Sequence, residues 1–286
     1  MPSSMAPVGV FDSGVGGLSV LQALRRAMPQ ARFVYVADSA YAPYGEKTAA
    51  FVQARSHAIA RFLQSHYGIG ALVVACNTAT AAAAESLRQD WPTLPLVGVE
   101  PAIKPAAQLS RTGHIGVMAT RGTVHSARFA RLLHDFGQGA HWHVQACDGL
   151  AAAIENSTAT TLVEDEKIRA LCAHHTSALG QFGLKSGQID TLVLGCTHYV
   201  FVRDTLRALL GPQVQLVDTG DAVARQTQRL LGWPQERADV QEGTPLAPAQ
   251  HIQLLTTGSL PALQRAAQRW LGLPAGCCAQ VQLDEA

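Results

Sequence analysis

Two cysteines share an unusual setting. Cys76 follows Leu72-Val73-Val74-Ala75 and leads into Asn77-Thr78, and Cys196 follows Leu192-Val193-Leu194-Gly195 and leads into Thr197-His198. Each sulfur sits one small residue past an apolar run, with polar residues behind it. A free thiol titrates near pH 8.5, so both protonation states are accessible near neutrality, where acids and bases work best. One thiol can remove a proton while another returns it, the chemistry of inversion at a carbon acid. Substrate and product are then mirror images at the reacting carbon, which suits a matched pair of side chains. A lone strand-end cysteine is most often a small buried apolar residue. The repetition of the setting argues for chemistry. Cys147, Cys172, Cys277 and Cys278 lack that context and read as structural, and the adjacent Cys277 and Cys278 have no metal-site spacing.

Candidate helpers lie close by. Asp12 closes the apolar run Val8–Phe11 and precedes Ser13-Gly14-Val15-Gly16-Gly17. His198 stands two residues from Cys196, the one histidine of eleven in such a context; His174 and His175 fall on an amphipathic helix and read as a solvated or packed face. The glycine-rich stretch also resembles a dinucleotide loop, with Asp38 at the distance of a ribose-binding acid. Ser19 replaces the third glycine, however, and the Asp12 carboxylate would repel a phosphate. Nucleotide binding is therefore the weaker rival. Tyr41-Ala42-Pro43-Tyr44-Gly45 reads equally as a turn into a helix and as a pocket wall.

Short apolar runs alternating with longer amphipathic stretches indicate an α/β fold with mostly parallel sheets. Strands are expected at Pro7–Phe11, Phe33–Ala37, Ala71–Ala75, Leu96–Val99, His114–Met118, His141–Gln145, Thr191–Leu194, Val214–Val217 and Ile252–Leu255. Helices are expected at Gly45–His66, Thr80–Gln89, Val124–Phe136, Leu162–Phe182, Val200–Leu210 and Ala222–Leu231. Val8–Ser13 echoes Ile115–Thr120, and in each half a cysteine-ended strand follows. Ligands of parallel sheets gather at the carboxyl ends of the strands. Two similar α/β lobes, related by pseudo-twofold symmetry, would thus set the sulfurs on opposite sides of one site. The expected division is 1–99 with 211–286 for the first lobe and 100–210 for the second.

The 286 residues suffice for two such lobes. A net charge of +1 with scattered Lys and Arg gives no basic stripe for nucleic acid. The apolar runs are too short to span a bilayer, and residues 1–7 do not read as a secretory signal. A cytoplasmic, reducing setting is expected.

Taken together, these motifs resemble the glutamate racemases of the aspartate/glutamate racemase group. The likeness runs through Phe11–Val20, Asp38, Pro43-Tyr44-Gly45, Ala75–Ala79 and Gly98–Pro101. It continues through Ala119-Thr120 with Thr123 and Ser126, Leu194–Tyr199, Val217-Asp218 and Thr256–Gly258, and so covers nearly the whole chain. The resemblance implies that Cys76 and Cys196 are the acid/base pair, acting on the D and L faces respectively. Asp12 would assist Cys76, while His198 and Glu155 would assist Cys196. Substrate contacts carry over to Asp12, Ser13, Tyr44, Gly45, Asn77, Thr78, Thr120, Thr123, Thr197 and His198. It also implies no metal, no pyridoxal phosphate or other cofactor, a homodimer, and a supply of D-glutamate for peptidoglycan. The chain departs from the family pattern in Cys147-Asp148-Gly149-Leu150 ahead of Glu155, and in Val200 where a proline is usual. Aspartate racemase remains a rival, as does a two-lobed amino-acid-binding protein without turnover.

Overall fold

The computed structural model describes residues 6–157, 162–234 and 249–283. Its strands are β1 (Val8–Asp12), β2 (Phe33–Ala37), β3 (Ala71–Val74), β4 (Leu96–Gly98), β5 (His114–Ala119), β6 (His141–Ala146), β7 (Thr191–Gly195), β8 (Gln215–Val217), β9 (Ile252–Thr256) and β10 (Cys278–Gln280). The helices are α1 (Leu18–Ala27), α2 (Ala49–Tyr67), α3 (Asn77–Asp90), α4 (Ile103–Leu109), α5 (Arg121–Val124), α6 (Ala127–Phe136), α7 (Leu150–Asn156), α8 (Leu162–Leu179), α9 (Arg203–Leu210), α10 (Gly220–Leu230) and α11 (Leu260–Ala266).

Two parallel sheets result, ordered β10-β9-β2-β1-β3-β4 and β6-β5-β7-β8. Parallel strands with helices on both faces are buried on both sides and read as continuous apolar runs; every residue of β1, β2, β3 and β7 is buried. The pleat divides the first lobe's core in two. Val8, Val10, Tyr35 and Val73 pack with Leu21 and Leu24 of α1. Phe11, Val34, Val36, Leu72 and Val74 pack with Ile59 and Leu63 of α2. The second sheet is likewise sandwiched, with Leu192 and Leu194 on one face and Ile115, Val117 and Val193 on the other.

The expected strands are present, shifted by a residue at some ends. β10 was not foreseen, because three residues of mixed character carry no pattern. The expected boundary at residue 210 falls too early: β8 pairs with β7 in the second sheet, Leu216 opposite Leu192, and the chain returns to the first lobe only with α10. Helix starts follow their caps. The helix expected from Gly45 begins at Ala49, where Thr48 accepts from Phe51 N–H, after a 3₁₀ turn at Tyr44–Glu46. The helix expected at Val124–Phe136 is broken because Ser126 caps α6 by accepting from Phe129 N–H. A 3₁₀ segment, Thr197–Val202, precedes α9. No helix among the described residues is long and apolar enough to cross a membrane.

Candidate active site

Strand ends position both thiols. Phe11 lies opposite Val74 and Ala119 opposite Gly195, so Asp12, Cys76, Thr120 and Cys196 all emerge at carboxyl ends. Cys76 is the N-cap of α3, its sulfur accepting from Ala79 N–H at 3.4 Å and lying 3.9 Å from Ser13 Oγ. Cys196 precedes the 3₁₀ segment, with Sγ 3.7 Å from His198 Nδ1. Both thiols are buried. They share one small cavity of about 10 Å³ with Asp12, Ser13, Tyr44, Gly45, Asn77, Thr78, Thr120, Ala151, Thr197 and His198. A larger cavity of about 240 Å³ reaches Cys196, Thr197 and Asn77 from another side but not Cys76. The smaller cavity is the one that joins the two sulfurs.

The lobes interdigitate behind this cavity. Thr197 Oγ1 donates to Asp12 Oδ2 at 3.0 Å. Thr78, Thr120 and Thr123 form a hydroxyl cluster, with Thr120 Oγ1 3.0 Å from both of the others. Glu155, on α7, reaches across to the glycine-rich loop: Oε2 accepts from Val15 N–H at 2.8 Å and lies 2.7 Å from His198 Nε2, and Oε1 accepts from Ser39 Oγ at 2.8 Å.

This seat explains the glycines. A Cβ on Gly14 would stand 2.3 Å from Glu155 Oε2, and one on Gly16 would stand 2.3 Å from His198 Nδ1. The loop that resembles a phosphate cradle is filled by a carboxylate and an imidazole, and its Val15 N–H is already engaged. The nucleotide reading gives way to that geometry. Asp38 likewise serves another purpose. Arg55 grips it twice, Nη2 to Oδ1 at 2.8 Å and Nε to Oδ2 at 2.9 Å, while Tyr44 O–H donates at 2.5 Å and Thr257 O–H at 2.9 Å.

Electrostatics separate the two sides. Burial, reinforced by the Asp12 charge, raises the Cys76 thiol well above its ordinary range. Burial also raises Asp12, partly offset by His198. Burial opposes a charge on His198, but hydrogen bonds to Cys196 and Glu155, with their charges, outweigh it and raise the imidazole well above its usual value. Burial would raise Glu155, yet the His198 contacts and the Val15 and Ser39 hydrogen bonds hold it below the usual range. A protonated thiol thus stands beside a carboxylate on one side, and a buried imidazolium–carboxylate pair stands behind the other sulfur.

The model of the Asp/Glu/hydantoin racemase family matches residues 17–227 of this chain. The chain belongs to that family. Over 272 residues it is 45% identical to the glutamate racemase of Ectopseudomonas mendocina, covering 95% of this chain and 97% of that protein. It is 48% identical over 230 residues to the glutamate racemase of Pseudomonas syringae pv. tomato, 80% of each chain. Among solved structures, the Escherichia coli glutamate racemase in complex with L-glutamate and the activator UDP-MurNAc-ala is 32% identical. Its TM-score is 0.77, with 92% of this chain and 95% of that one covered. Glutamate racemase RacE1 from Bacillus anthracis superposes with a TM-score of 0.80 at 29% identity, over 99% and 100% of the two chains.

The racemase gathers most of the residues singled out from the sequence into one site. Two stand a layer behind it: Glu155 and Thr123 do not line the cavity, and Thr123 reaches it through the hydroxyls of Thr120 and Thr78. Sequence reasoning missed Arg55, Ser39 and Ala151. Arg55 lies mid-helix on α2 and has no local signal; only the fold carries it to Asp38. His175 is packed, with Nε2 3.1 Å from Asp148 O, while His174 is exposed.

Proposed function

We propose that this amino-acid racemase interconverts L- and D-glutamate by passing the α-proton between Cys76 and Cys196 without a cofactor. The convergence of two strand-end sulfurs on one cavity, each with a different helper, carries this reading. In the L→D direction Cys196 removes the proton and the already protonated Cys76 delivers one to the opposite face. In the reverse direction Cys76 must first lose its proton, and Asp12, raised by burial, is the adjacent acceptor. His198, held charged by Glu155, supports Cys196. Asn77 Oδ1 is buried without a partner among the described residues. Such an acceptor suits the substrate ammonium, and the hydroxyls of Ser13, Thr78, Thr120 and Thr197 suit its carboxylates. The names of the relatives favour glutamate over aspartate. The cellular role in this reading is cytoplasmic supply of D-glutamate for peptidoglycan, by a homodimer.

Circular dichroism of the dialysed enzyme with L-glutamate, D-glutamate and L-aspartate, each separately, tests this directly. Both glutamate signals should decay toward zero while the aspartate signal stays constant. Decay with aspartate alone would replace the substrate. Binding without loss of signal or exchange of the α-proton with solvent would make the chain a binding protein. Activity abolished by a chelator and restored by zinc would exclude the two-thiol mechanism.

A further inference from the structure

Outside the active site, Cys277 and Cys278 are the half-buried cysteines among the described residues. Cys277 ends a 3₁₀ turn, Ala275–Cys277, and Cys278 opens β10, the edge strand of the first sheet. Adjacent residues of an extended chain project to opposite faces. The turn overrides that alternation here and leaves the two sulfurs 3.9 Å apart. Arg25, from α1, is the charge that acts on Cys277. The other cysteines, Cys76, Cys147, Cys172 and Cys196, are buried.

We propose that this vicinal pair is a thiol–disulfide exchange site, in which Cys277 takes up half of a low-molecular-weight disulfide such as oxidised glutathione and Cys278 stabilises the attacking thiolate. Thiolates, not thiols, attack disulfides, and reactive ones lie partly exposed near a cation or a hydrogen-bond donor. Either sulfur of the pair can donate to the other at 3.9 Å, so Cys278 S–H can serve a Cys277 thiolate, and Arg25 is such a cation. The contact with Cys278, a hydrogen bond from the Cys277 backbone and the Arg25 charge outweigh burial and bring Cys277 down to about 7, while Cys278 is pushed up and stays protonated. Pro274 O accepts from the neutral Cys277 thiol at 3.0 Å and opposes the ionisation, so the thiolate must turn away from that carbonyl toward solvent. In the reaction the Cys277 sulfur bonds to one sulfur of the reagent and the reagent's S–S bond breaks. The other half departs with the electron pair as a thiolate and takes up the proton Cys277 lost. Adjacent Cα atoms, 3.8 Å apart, are closer than the 4.4–6.8 Å of relaxed disulfides. An onward Cys277–Cys278 bond would therefore be strained and easily reduced, which makes the modification reversible.

The full-length enzyme, incubated with oxidised glutathione and analysed by intact mass and peptide mapping, should carry one adduct, on Cys277, removed by dithiothreitol. Oxidation of the pair to its own disulfide would count equally for the site. The rate of Cys277 modification should rise with pH through a midpoint near 7. In Cys278→Ala that midpoint should move toward the ordinary thiol value of about 8.5. The rate at neutral pH falls only about threefold, because a more basic thiolate is also a better nucleophile, so the midpoint is the quantity read. Cys277→Ser should take up no adduct and still racemise its substrate. Adducts confined to other cysteines, neither an adduct on Cys277 nor a Cys277–Cys278 disulfide, or an unmoved midpoint in Cys278→Ala would overturn the proposal.

Discussion

Asp12 beside Cys76 and His198 beside Cys196 give the two thiols opposite electrostatic neighbours, and the proposed reaction should show it. Cys76→Ser and Cys196→Ser should each lower kcat by at least about 10²-fold with the fold retained, since general acid–base groups contribute roughly 10²–10⁴-fold and a hydroxyl is too weak an acid to replace them. Thermodynamics fixes the ratio of kcat/KM in the two directions, so the asymmetry must be read from α-deuterium isotope effects. Asp12→Asn should raise the effect from D-glutamate and His198→Asn the effect from L-glutamate; equal effects would remove the side assignment. The His198–Glu155 pair also has a pH signature. His198 is raised on folding, so its contribution to stability is complete below about 6.5 and fades as pH rises through its folded value. Glu155 is lowered, so its contribution is complete above about 4.5 and fades as pH falls through its folded value. The melting temperature lost in Glu155→Gln should therefore be greatest from about pH 4.5 upward and shrink at the alkaline end, and the variant's His198 should titrate lower by NMR.

At the scale of elements, the glycine-rich loop and α2 hold the pocket by different means. The loop depends on close approach. Gly16→Ala would drive a methyl into the His198 ring, an overpacking that typically costs about 1–3 kcal/mol and should displace His198 from Cys196. Urea unfolding and racemisation should both register it; an undiminished kcat would mean that the contact relaxes freely. Helix α2 acts through Arg55, whose contact with Asp38 is buried on both sides, at 7% and 0% exposure. Removing one partner of a buried pair strands the other charge, at a cost of about 3–5 kcal/mol. Arg55→Ala should therefore destabilise strongly. It should also weaken substrate binding, because Asp38 no longer fixes Tyr44 and the adjoining Gly45.

Over the whole molecule, the cavity between the thiols has room for about one water. Glutamate can enter only if the walls part. The bonds that bridge the two lobes around it are Thr197 to Asp12, Glu155 to Val15, and Thr78 to Thr120. Cys76 and Cys196 should consequently react with iodoacetamide far more slowly than Cys277, and more slowly still with glutamate bound. Peptide mapping of time courses measures all three together. Equal rates at Cys76 and Cys277 would show that the site stands open in solution.

Local chemistry made much of this legible. Apolar runs closed by small residues identified the strands, and the repeated cysteine setting marked both thiols, because side-chain period and strand-end position are written within a few residues. Helix starts were less legible, since Thr48 and Ser126 act as caps only where the chain actually turns. Tertiary structure alone decided four matters, each set by contacts between residues far apart in sequence. It put β8 on the second sheet through its pairing with β7. It brought Arg55 to Asp38 and set Glu155 against both His198 and the loop at Gly14. It turned a stretch resembling a phosphate cradle into a seat for a carboxylate and an imidazole. The glycines look the same in both readings, because their sequence records only that something must come close; at Gly14 and Gly16 what comes close is supplied by the opposite lobe.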